Sequence, residues 1–107
     1  MSRRLLLICA FAVAAALAQS SLRSVTGTVT NQAGAPVQGA VVKLKDLATL
    51  QIRSFVTPED GSYRFTNLLT NRDYELFAQL GEKRSSKKTL SRFDSKSEPV
   101  VDLRISE

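Results

Sequence analysis

The sequence predicts an all-β domain, a seven-stranded antiparallel β-sandwich. Three observations carry this expectation. From position 24 onward the apolar residues recur at every second place, which is the period of a half-buried strand. Turn-forming Gly, Pro, Asn and Asp separate these runs about every ten residues. No later segment shows the i, i+3, i+4, i+7 stripe of an amphipathic helix.

The first eighteen residues stand apart from this pattern. Arg3 and Arg4 precede an unbroken apolar run from Leu5, which ends in Ala16-Leu17-Ala18. A basic start, an apolar middle and a small-x-small end make the pattern of a secretory signal peptide. About 14 apolar residues fall short of the roughly 20 needed to span a bilayer. The expectation is therefore a signal peptide over 1–18, cleaved after Ala18, and a domain over 19–107 that is secreted or periplasmic.

The remaining strands follow in order. Val25, Gly27 and Val29 alternate with Thr26, Thr28 and Thr30, and Gly34 and Pro36 end that run. Residues 19–23 read as a loose N-terminus. Ala40, Val42 and Leu44 face one way and Lys43 and Lys45 the other. In the third run Leu50, Ile52 and Val56 are expected inward, with Phe55 outward. Pro58-Glu59-Asp60-Gly61 is a tight turn, predicting a hairpin from the third strand into a fourth that carries Tyr63 and Phe65. Residues 68–73 read as a connection. Tyr74, Leu76, Ala78 and Leu80 then face inward, with Glu75, Phe77 and Gln79 outward. A short edge strand is expected over 88–92, and Val101, Leu103 and Ile105 form the last strand.

Composition limits the chemistry. The 107 residues include no His, no Trp and one Cys, so an imidazole base, a histidine metal ligand and an internal disulfide are all absent. Removal of 1–18 also removes Cys9. It leaves thirteen basic against ten acidic residues, a net charge of +3 in place of +5. No catalytic residue, metal site or cofactor is expected, and the adjacent carboxylates Glu59 and Asp60 read as turn chemistry.

Gly27-Thr-Val-Thr-Asn-Gln-Ala-Gly-Ala-Pro, Thr57-Pro-Glu-Asp-Gly-Ser-Tyr-Arg-Phe and Asp73-Tyr-Glu-Leu resemble the motifs of the carboxypeptidase regulatory-like domain. The resemblance covers about residues 24 to 106. It implies a prealbumin-like (Ig-like, transthyretin-like) Greek-key sandwich, usually non-catalytic and serving a structural or interaction role in exported proteins. The chain departs from the pattern at Asn71-Arg72-Asp73, where the family often has Pro-Gly. Transthyretin-like hydrolases depend on histidines, which this chain lacks. Sandwiches with a Lys-Asn isopeptide need a Lys in the first strand and an Asn in the last, and neither is in place.

One compositional anomaly remains. Lys83, Arg84, Lys87, Lys88, Arg92 and Lys96 put six positive charges within fourteen residues, interrupted only by Asp94. The segment reads either as a solvated edge strand whose lysines block edge-to-edge pairing, or as a patch for an anionic polysaccharide or lipid surface. Nucleic acid is not an expected partner, because export separates the chain from it and the segment lacks stacking aromatics. The leading expectation is an unidentified protein partner in the envelope or outside the cell. Tyr63, Phe65 and Tyr74 read as core, and Phe55 and Phe77 as outward-facing positions that mark either a partner surface or the contact of an oligomer.

Overall fold

The computed structural model describes residues 22–106. The predicted signal peptide and its cleavage site lie outside the described residues. The domain is all β: β1 (Leu22–Thr30), β2 (Val41–Asp46), β3 (Ile52–Val56), β4 (Ser62–Leu69), β5 (Tyr74–Leu80), β6 (Lys83–Ser85), β7 (Lys88–Leu90) and β8 (Leu103–Ser106). The strand order is β3-β2-β5-β6-β8-β1-β4, with β7 also paired to β5.

Eight strands replace the seven expected, because the basic segment contains two short strands where one was predicted. β7, within the expected 88–92, pairs with β5 alone and is the short edge strand, whereas the additional β6 lies between β5 and β8. One pairing is parallel, with Val29 opposite Leu103 and Thr30 opposite Arg104. β8 therefore belongs to both layers, antiparallel to β6 in one and parallel to β1 in the other.

Alternation holds where strands lie over the core. Val25, Val29, Val42, Leu44, Tyr63, Phe65, Leu76, Ala78, Leu103 and Ile105 are all buried in one cluster. Such a cluster supplies the main favourable term of folding, at about 25 cal/mol per Å² of apolar surface removed from water. Tyr74 is also buried, and its hydroxyl accepts a hydrogen bond from the Leu69 amide at 2.9 Å.

Several expectations require correction. Leu68 and Leu69 belong to β4, not to the connection after it. The Pro58 turn does not close a hairpin, since β3 pairs with β2 and β4 with β1. It carries the chain from one sheet to the other, braced by the Gly61 amide on the Pro58 carbonyl (3.0 Å) and by Ser62 on Asp60. The phase of β3 is reversed: Phe55 packs against the core, edge-on to Phe65, while Ile52 (57%) and Val56 (63%) are exposed. The cause is Leu50, which takes φ 64° in the preceding turn and so does not count in the strand's alternation. At the lip of the sandwich only long side chains reach across. Arg53 does so, donating to the Thr66 carbonyl at 2.8 Å and stacking on Phe65. Leu80, at the end of β5, is exposed rather than inward.

Residues 22 and 23 are strand, not a loose terminus, and Arg23 is only 3% exposed. Its Nη1 donates to the Ser91 carbonyl (3.0 Å) and the Asp94 carbonyl (3.3 Å), and its Nη2 to the Arg72 carbonyl (3.1 Å). One guanidinium thus ties three chain segments at one end of the sandwich. Charge-assisted bonds to carbonyls offset the cost of burying a cation.

Gly27 is the tightest point. A Cβ there would lie 1.9 Å from the Val101 carbonyl oxygen and 2.6 Å from the Tyr63 ring. The Tyr63 hydroxyl donates to that same carbonyl. Gly27→Ala is expected to lower the unfolding free energy by about 3 kcal/mol or more, since backbone rather than a flexible side chain must move. Urea denaturation of the variant beside the wild type measures it.

Candidate functional site

The basic segment does not form one surface. Arg92 is turned back to the body: its amide donates to Asp73 Oδ1 at 2.7 Å and its Nη2 to Oδ2 at 3.2 Å. Lys96 lies in the exposed loop after β7, its amide bonded to Asp94. Lys88 is opposite Leu76 in register, so it springs from the inner side of β7 and is exposed at the rim. Lys83 and Arg84 are exposed on β6, and Arg84 is opposite Gln79.

What the fold assembles instead is a mixed face on the outside of the larger sheet. Its centre is Phe77 on β5, half-buried and facing away from the core. Lys43 of β2 and Lys87 of the β6–β7 turn each place their Nζ 5.9 Å from the Phe77 ring centroid. Each such contact contributes about 0.5–1 kcal/mol at an exposed site. Glu75 faces Lys45 in register and lies 3.7 Å from Lys87 Nζ. Arg84 extends the face toward β8, and Val41, Ile52 and Val56 extend it toward β3 as an apolar margin. Of the six predicted residues, Lys87 and Arg84 join this face and Arg92 does not. Lys43 and Lys45 were legible as outward-facing, but their union with Phe77 requires the β2–β5 pairing.

Around Arg23 the electrostatics are structural. Hydrogen bonds from the Arg92 amide and guanidinium, together with the charges of Arg92 and Arg23, hold the Asp73 carboxyl below the usual 3.8. Desolvation works against ionised Asp46, but the Arg72 guanidinium at 2.7 Å and the amides of Ala48 and Thr49 outweigh it, and its pKa is also lowered. The Ser62 hydroxyl and amide lower that of Asp60. Burial, with the charge of Asp102 second, pushes the Tyr63 phenol well above its ordinary 10.0. No group of three His, Cys, Asp or Glu side chains converges among the described residues. A hollow of about 200 Å³ opens at the β3–β4 lip, beside Asp46, Arg53, Asn67 and Tyr74, and its carboxylate is already held by Arg72. The outer face of the larger sheet can bind anionic and apolar groups together.

Comparison with known families bears directly on this sandwich. The model of the carboxypeptidase regulatory-like domain matches residues 24–106. The chain belongs to that family. No curated protein matches it. Among solved structures it is similar to catechol 1,2-dioxygenase from Acinetobacter sp. ADP1 inhibited by bound mercury, with a TM-score of 0.61 and 12% identity over 81% of this chain and 53% of that one. It is also similar to catechol 1,2-dioxygenase from Pseudomonas arvilla C-1, at 0.57 and 12%, over 80% and 52%. S.CueP matches at 0.56 and 13%, over 80% and 64%. The regulatory-like domain thus spans about half to two-thirds of these chains, and the likeness is one of fold alone.

Because Asp46, Asp60 and Asp73 have lowered folded pKa values, their contribution to stability is present above the unfolded value near 3.8 and is lost as pH falls through the lower folded values. Thermal melts between about pH 6 and pH 2 are expected to fall most steeply below about pH 4, and Asp73→Asn is expected to flatten part of that slope.

Proposed function

We propose that this regulatory-like domain is an exported, non-enzymatic module with a structural or protein-interaction role in the cell envelope or outside the cell. The observation that carries the reading is the outer face of the larger sheet. There Phe77, Val41, Ile52 and Val56 offer apolar area inside a rim of Lys43, Lys45, Arg84 and Lys87. Aromatic and β-branched side chains within a charged rim suit a protein partner with an acidic, partly apolar surface. The lack of histidine and the family membership support the non-enzymatic part. The apolar run and Ala-x-Ala end of residues 1–18 support export.

A second reading has its own observation. Arg84 and Lys87 are exposed together on the outer face, with Lys88 at the adjoining rim, which suits an anionic polysaccharide or lipid headgroup.

Two measurements separate the readings. A photo-crosslinking residue at position 77 is expected to capture one discrete protein in the native host, and the same residue at position 64, on the other sheet, is expected to capture none. Retention on heparin or anionic vesicles that fades with salt, and is lost in a Lys87→Gln, Lys88→Gln variant, would favour the second reading instead.

A further inference from the structure

The two terminal strands of the sandwich are not equivalent. β4 is guarded: Asn67 takes φ 59° within it and breaks its regularity, and Arg64 is exposed and paired with Glu98 at 3.3 Å. β3 has a single charge, Arg53, and its guanidinium is turned off the edge and across the lip to the Thr66 carbonyl and the Phe65 ring. Ile52–Val56 has no Pro, no Lys and an unbroken register against β2. Natural sheets usually blunt an edge of this kind.

Its polar backbone groups can be assigned from the register. The Thr57 amide donates to Ala40 and the Asp46 amide to Gln51, so at both ends the odd-numbered residues of this strand face β2. Narrow and wide pairs alternate in an antiparallel ladder. The amides and carbonyls of Ile52, Ser54 and Val56 therefore point out along the open edge.

We propose that β3 pairs antiparallel with β3 of a second copy of this chain, about a two-fold axis through Ser54, joining the two larger sheets into one. This goes beyond the proposed partner surface and stands without it. The register is self-complementary. Ser54 meets Ser54 of the copy, and Ile52 meets Val56, so exposed β-branched residues cover each other on the outer face. The strand's only charge, Arg53, falls opposite Phe55 rather than opposite itself. The two Arg53 residues are diagonal neighbours on the inner face, their Cα atoms roughly 7–8 Å apart, and each guanidinium is drawn across the lip of its own sandwich to the Thr66 carbonyl and the Phe65 ring. On the outer face the nearest like charges across the axis are the two Lys43 residues, each opposite Ser54 in its own sheet. They are separated by three interstrand steps, roughly 14 Å, which exceeds the Debye length of about 8 Å at physiological salt. Closed two-fold pairing also removes the open edge, so growth stops at the dimer.

The full chain carrying Cys9→Ser, in which no native thiol remains, provides the test. Sedimentation at about 100 μM is expected to show a dimer with micromolar dissociation. Ile52→Lys with Val56→Lys is expected to weaken the dimer at least about tenfold while the strand circular dichroism is kept. With a short thiol-reactive crosslinker, Ser54→Cys is expected to link two copies, while Arg64→Cys on β4 links none. A monomer at this concentration, a dimer indifferent to the paired lysines, or crosslinking through position 64 instead of 54 would each overturn the proposal.

Discussion

Everything in the sandwich turns on the missing side chain at Gly27. The C-terminal segment reaches β1 only because nothing stands between the Val101 carbonyl and the strand beneath it. With that space open, the Val101 amide bonds the Thr26 carbonyl at 2.8 Å and the Tyr63 hydroxyl bonds the Val101 carbonyl. The segment then continues into β8, which pairs with β1 on one side and β6 on the other. A strand shared by both layers closes one side of the core without a disulfide. That closure matters for a domain of this size, where apolar burial alone leaves little margin.

Closure elsewhere is polar. At one end of the sandwich, the turn after β2, the connection between β4 and β5 and the loop after β7 all converge on Arg23, Arg72 and Asp73. This explains the departure from the family's Pro-Gly at Asn71-Arg72-Asp73. Instead of a turn set by backbone preference alone, the connection is held by side chains that reach other elements. Part of the basic segment is therefore framework rather than binding surface.

β1, β2, β4 and β5 were legible because each lies over the core along most of its length, and a two-residue period then forces burial to alternate. β3 was not, since it hangs over the lip: Leu50 turns left-handed before it, and the inward positions go to the side chains long enough to cross, Arg53 and Phe55. Burial of Arg23 was hidden because an arginine ahead of a strand looks the same whether it meets water or carbonyls from residues about fifty to seventy positions away. The candidate site failed in a similar way. A run of cations is visible in one dimension, but Arg92 has its carboxylate nineteen positions back, and Lys43 meets Phe77 only through strand order. The parallel β1–β8 pairing was also invisible, since period 2 carries no direction.

That parallel pairing has a mechanical side. β1 and the segment from Ser97 to β8 run together in one direction, from the Ser24–Ser97 bond to the Thr30–Arg104 pair. Leu22 and Ser106 therefore leave from opposite ends of the sandwich. Tension applied between the two ends would load the hydrogen bonds along this pair in shear, all at once, instead of peeling them apart singly. The rupture rate under load would then be set by one cooperative unfolding barrier. A fold built in this way resists stretch along its length as one unit.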